Sequence, residues 1–192
     1  MKTYLDCIPC FFKQALYAAR IAVDNEAIVK EVLDKVGKLT SKIPMDRSPP
    51  ETGIEVYRII REVTGVKAPF RALKSNSIRK AWQLYPSREE MLKTAKDPLE
   101  TAVKLAINDY QVLVDKLEST KQILYLADNA GETVFDRLLI DAIGRPVIYA
   151  VRENPVINDA TEEDAISSGL DEVSEIVSSG CDAPGTLLGQ CS

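Results

Sequence analysis

The sequence predicts an α/β protein, with a helical N-terminal region over residues 1–118 and a parallel α/β domain over 119–192. Three observations carry this. Apolar residues recur at helical spacing through the first 107 residues, with little strand signal. After Thr120 the pattern switches to short continuous apolar runs, Ile123 to Ala127 and Pro146 to Val151, as expected of strands buried on both faces. Amphipathic segments between and after them give strand, helix, strand, helix, strand, the order of a parallel sheet with right-handed crossovers.

The first helix is expected from Leu5 to Val23, on Leu5, Ile8, Phe12, Ala15, Leu16, Ala19 and Val23. Asp24-Asn25 breaks the run and caps a second helix through Ile28, Val32, Leu33 and Val36, which fails at Gly37. A Pro-rich connection follows from Ile43 to Pro50. Ile54 to Val63 reads as a third helix, closed by Thr64-Gly65. Ala72 to Leu84 and Pro98 to Ile107 are the next two, the latter opened by Asp97-Pro98 as N-cap and first helical residue. In the second half, Val134 to Ile143 is a helix ending at Gly144, and Thr161 to Ser168 is one stopped by Gly169. Val173 to Val177 is a weaker third strand. Sheets of this kind ordinarily continue beyond three strands, so the pattern implies further chain after Ser192. Phe11, Phe12, Tyr57, Trp82 and Tyr85 are expected in the core or a domain interface.

Composition removes several function classes. The 192 residues contain no histidine, which excludes Ser-His-Asp and Cys-His nucleophile pairs and histidine-based zinc centres. Catalysis must run on carboxylates, amides, Lys or Arg, thiols, or a metal held by oxygen. With 24 Lys+Arg against 29 Asp+Glu, the chain is mildly acidic, which argues against nucleic acid as a partner. The densest basic stretch, Arg71, Lys74, Arg79 and Lys80, reads as a solvated helix face. No apolar run approaches the roughly 18 residues of a membrane span, and the N-terminus is not a signal peptide. A cytoplasmic location is the expectation.

Two segments leave the carboxyl ends of the first two strands, where open α/β sheets bind ligands. The first is Asp128-Asn129-Ala130-Gly131-Glu132; the second runs from Arg152 to Thr161. Asp128 and Asn129 supply hard oxygen ligands that Asp159 could face across the crevice, a donor set suited to Mg²⁺, Mn²⁺ or a similar ion. Gly131 lets the backbone come close to a bound group, and the next helix offers N–H groups to an anion. Arg152 could clamp a phosphate or sit in a surface ion pair with Glu153 or Glu163. A purely structural reading competes. Asn129 with Glu132, and Thr161 with Asp164, also fit helix caps, and Asp159 could cap its helix. Asp182 is a turn residue or a supporting group on the same edge.

The run ILYLADNAGETVFDRLLI, then PVIYAVRENPVINDATEEDA and SSGCDAPGT, resembles the damage-control phosphatase family. The N-terminal Cys7-Ile8-Pro9-Cys10 is similar to the Cys-x-x-Cys of its nucleotide phosphatase I subfamily. The resemblance implies a Rossmann-like α/β domain with a metal site at the carboxyl ends of the strands. It implies a divalent cofactor (Mn, Ni, Co or Mg) on Asp128, Asn129 and Asp159. Asp128, Asp159 and Arg152 would be catalytic, with Asn158, Gly131, Glu132 and Arg152 against the substrate. Small phosphorylated metabolites, damaged nucleotides or sugar phosphates, are the implied substrates, in a house-cleaning role. Two departures stand out. A Gly-Asn segment expected after the Pro98 helix is absent near Ile107, and a Lys-Gly-x-Gly-Asn stretch is expected beyond Ser192.

The alternative is a non-catalytic nucleotide-binding or redox module in which Cys7 and Cys10 are the working part. The two cysteines share a helix face and read as buried small residues, a redox pair, or half of a metal site. No GxGxxG follows the first strand, which weakens a dinucleotide-binding version.

Overall fold

The computed structural model describes residues 2–106, 115–117, 119–181 and 183–184. They group into two compact units, one of 2–72, 154–158, 180–181 and 183–184, the other of 73–106, 115–117, 119–153 and 159–179. This grouping divides the chain elsewhere than between 118 and 119. Among the described residues no helix is long and apolar enough to cross a membrane.

The first unit is built on α1 (Cys7–Ala22), α2 (Glu26–Thr40) and α3 (Pro49–Thr64). Asn25 caps α2 as expected, its side-chain oxygen accepting from the N–H groups of Ala27 and Ile28. The helix does not fail at Gly37 but continues to Thr40. A mid-helix glycine costs about 1 kcal/mol, and Leu39 packing on the core beyond it outweighs that. α3 starts five residues before the expected Ile54, because Ser48-Pro49-Pro50-Glu51 is a capping box followed by prolines in the first turn. It ends at Gly65 with φ 72, a left-handed cap. Phe11, Ala15, Val29, Val32, Val36, Val56 and Ile60 form the core, joined by Phe70 and by Val156.

The second unit holds α4 (Arg71–Thr94, counted here from residue 73), α5 (Pro98–Ala106), β1 (Ile123–Leu126), α6 (Thr133–Ile143), β2 (Val147–Val151), α7 (Glu162–Ser167) and β3 (Glu175–Ser178). The three strands are parallel in the order β1-β2-β3, and Tyr125 stands in register with Tyr149. α4 runs ten residues past the expected Leu84, through Pro86. Leu92, buried with Ala102, Val103, Leu138 and Leu139, anchors the extra turns. Asp97 caps α5 through the Glu100 N–H at 2.8 Å. β2 is covered on both faces, but β1 is not: Leu124 and Leu126 are exposed. β1 only half-buries Ile123 and Tyr125 on one face, so its continuous apolar run overstates its cover. β3 begins at Glu175 rather than Val173, because Gly169 opens a 3₁₀ turn over Leu170–Glu172.

Candidate active site and metal centre

Beyond the ends of β1 and β2 the backbone is joined again by a returning segment. Ala160 donates its N–H to the Asp128 carbonyl at 2.7 Å and accepts from the Arg152 N–H at 2.9 Å. Asn129 bridges Asp159 in antiparallel sense, and Arg152 bridges Thr161 in parallel sense. Residues 159–161 thus lie between the extensions of the two strands. Asp128, Asn129 and Asp159, 31 residues apart in sequence at the extremes, become neighbours on the carboxyl edge of the sheet. Just before this return, Ile157 adopts φ 45. A β-branched residue there costs about 1–2 kcal/mol, so the rest of the structure holds the loop in that shape.

Each site residue has a distinct setting. Asp159 is 5% exposed, and its Oδ2 accepts from Arg152 Nε at 2.9 Å. Arg152, equally buried, is therefore ion-paired with Asp159 within the site. Asp128 and Glu132 are exposed and Asn129 is half-buried. Asn129 Nδ2 donates to Glu132 Oε1 at 2.8 Å, which turns the amide oxygen away from that carboxylate. Asn129 is not the cap of α6: the capping position is Glu132, and no side chain caps the helix. The expected Thr161–Asp164 capping box is present. Asp159 does not cap that helix.

Gly131 has room on one side only for another helix. A Cβ there would stand 3.0 Å from Ser77 Cβ of α4, so on that side the absence of a side chain serves the close approach of α4 to the loop. Asn158 is exposed and groups with the first unit. Cys7 and Cys10 lie in the first turn of α1 in that unit, both as free thiols. Cys7 Sγ accepts the Tyr4 N–H at 3.4 Å, and Gln14 donates to Cys10 Sγ at 3.6 Å. Asp182 and the segment after Ile107 lie outside the described residues.

Two features escaped the sequence reading. Lys74 is not on a solvated face; it is buried and paired with Asp164 Oδ2 at 2.5 Å. Asp136, one turn along α6 from Glu132, accepts hydrogen bonds from Tyr125 and Tyr149, each at 2.6 Å. Burial pushes its carboxyl up to about 6, against the pull of the two phenols; Glu132 and Asp128 add to the rise. The signal was a lone acid in the apolar stripe of Val134, Leu138, Leu139 and Ile140, with tyrosines at the middle of both strands.

Two carboxylates and an amide, all hard oxygen donors, with one buried cation among them, form a set suited to a divalent ion. Among the described residues no three His, Cys, Asp or Glu side chains are grouped for a metal, so the amide of Asn129 is essential to the candidate centre.

A sequence profile of the damage-control phosphatase ARMT1-like domain matches residues 3–108 and 100–192. The chain belongs to this family. A damage-control phosphatase of Archaeoglobus fulgidus is 27% identical, over 95% of this chain and 76% of the relative. One of Pyrococcus horikoshii is 26% identical, over 98% and 77%. An uncharacterized protein of Methanocaldococcus jannaschii is 26% identical, over 97% and 74%. The crystal structure of a DUF89 family protein from Pyrococcus horikoshii superposes with a TM-score of 0.89 at 25% identity, over all of this chain and 79% of that one.

Proposed function

We propose that the chain is a metal-dependent phosphatase that hydrolyses phosphate esters of small metabolites, with damaged nucleotides or sugar phosphates as the substrate class. The observation that carries this is the return of residues 159–161, which sets Asp159 beside Asn129 and ties Ala160 to Asp128. Asp128, Asn129 and Asp159 would hold a divalent ion. When bound, such an ion supplies Lewis acidity toward a phosphoryl oxygen and toward water.

The chain's own residues do the rest. Asn129, held by Glu132, presents its amide oxygen. Arg152 holds Asp159 in place through Nε, so its first task is to orient a ligand carboxylate. The uncapped start of α6 offers N–H groups to an anionic oxygen, as a helix N-terminus does for phosphate. Asp128, exposed on the edge, is the acid placed to meet substrate and water.

Phosphate release from an aryl phosphate, scanned over Mg²⁺, Mn²⁺, Co²⁺ and Ni²⁺, tests this reading. Release should require a metal and should vanish in Asp128→Ala. Metal-dependent release that survives in Asp128→Ala would sink the assignment.

A further inference from the structure

We infer that Lys74 is a positioning residue for the metal centre, acting through Asp164 and Thr161 on Asp159; this rests on the reading of Asp128, Asn129 and Asp159 as a metal site.

Asp164 Oδ2 is the acceptor for three donors. Thr161 gives its backbone N–H at 2.9 Å and its hydroxyl at 2.5 Å, and Lys74 gives its ammonium at 2.5 Å. The first is one of the two bonds of the capping box between Thr161 and Asp164, and a capping box needs no lysine. Burying an ammonium is unfavourable unless it is paired, so an apolar residue at 74 would be the cheaper way to pack α4. What Lys74 adds is a fixed, charge-assisted anchor for the carboxylate that holds Thr161. Thr161 bridges Arg152, Ala160 before it joins the Asp128 carbonyl to the Arg152 N–H, and Asp159 bridges Asn129. Thr161 is thus the last residue of the short backbone ladder that joins the three proposed ligands.

The same helix reaches the other ligand loop independently. Ser77, three residues after Lys74, fills the space beside Gly131, and Ile78 and Ala81 pack on Ala130 and Val134. One face of α4, residues 74, 77, 78 and 81, thus braces both loops: Lys74 through a charge, the others through packing.

The test is Mn²⁺ binding to the metal-stripped full chain, read by electron paramagnetic resonance of free and bound Mn²⁺, with no turnover required. Lys74→Met should weaken Mn²⁺ binding about 10–100-fold, the range for residues that orient metal ligands. Lys74→Arg, which keeps the charge, should recover most of it. Circular dichroism shows whether each variant is folded. If Lys74→Met does not fold, Thr161→Val carries the test and should weaken binding in the same direction. A folded Lys74→Met or Thr161→Val that binds Mn²⁺ as the unaltered chain does would overturn the inference while leaving the metal site intact. Equal Mn²⁺ binding by the unaltered chain and Asp128→Ala, or none by either, would overturn the metal site itself, and the role of Lys74 with it.

Discussion

Asp159→Ala is expected to abolish metal-dependent phosphate release and also to lower the unfolding free energy by about 3–5 kcal/mol, the usual cost of removing one partner of a buried ion pair. Both Asp159 and Arg152 are 5% exposed and 2.9 Å apart, so the variant takes the carboxylate away from a guanidinium that water scarcely reaches. An exposed pair such as Lys30–Asp34 should cost no more than about 1 kcal/mol when broken. The two losses separate in a double variant. Arg152→Met with Asp159→Ala also removes the buried guanidinium that has lost its Asp159 carboxylate and should regain much of the stability while release stays absent. Urea unfolding at pH 7, beside the phosphate assay, checks both. An Asp159→Ala protein as stable as its parent would contradict the buried pair.

Asp136→Asn is expected to change how stability varies with pH. The folded protein raises this carboxyl from 3.8 to about 6, chiefly by burial, so it binds the proton more tightly than the unfolded chain does. The stability Asp136 contributes is therefore full below about pH 4 and is lost as pH rises through about 6. The shift corresponds to something on the order of 3 kcal/mol. The stability of the parent relative to Asp136→Asn should fall between pH 4 and pH 7 by about that amount, and urea midpoints across that range measure it. Parallel curves would show that Asp136 is not the group that titrates. Tyr125 and Tyr149 keep their protons throughout, since burial pushes both well up from 10.

Periodicity made the elements legible, because each helix and strand buries one face or both against its own unit. It failed where tertiary packing overrode a local stop: Leu39 carries α2 past Gly37, and Leu92 carries α4 past Pro86. The early start of α3 was legible in Ser48-Pro49-Pro50-Glu51, where prolines suggest a connection but also fit a first turn. Asp128, Asn129 and Asp159 were legible as residue types at strand ends. Asp159 was expected to face the other two across the crevice; the route was not legible, because it is a loop that leaves β2 and comes back between the extensions of two strands. Lys74 was misread for the same reason. Its neighbours Arg71, Arg79 and Lys80 make a charged stretch, and nothing local shows that one of the four turns inward to Asp164.

The most direct test of the central claim is the anomalous difference density of crystals of the chain grown with Mn²⁺. The account predicts one strong peak bounded by side-chain oxygens of Asp128, Asn129 and Asp159. Empty density there, with Mn²⁺ bound elsewhere, would contradict it.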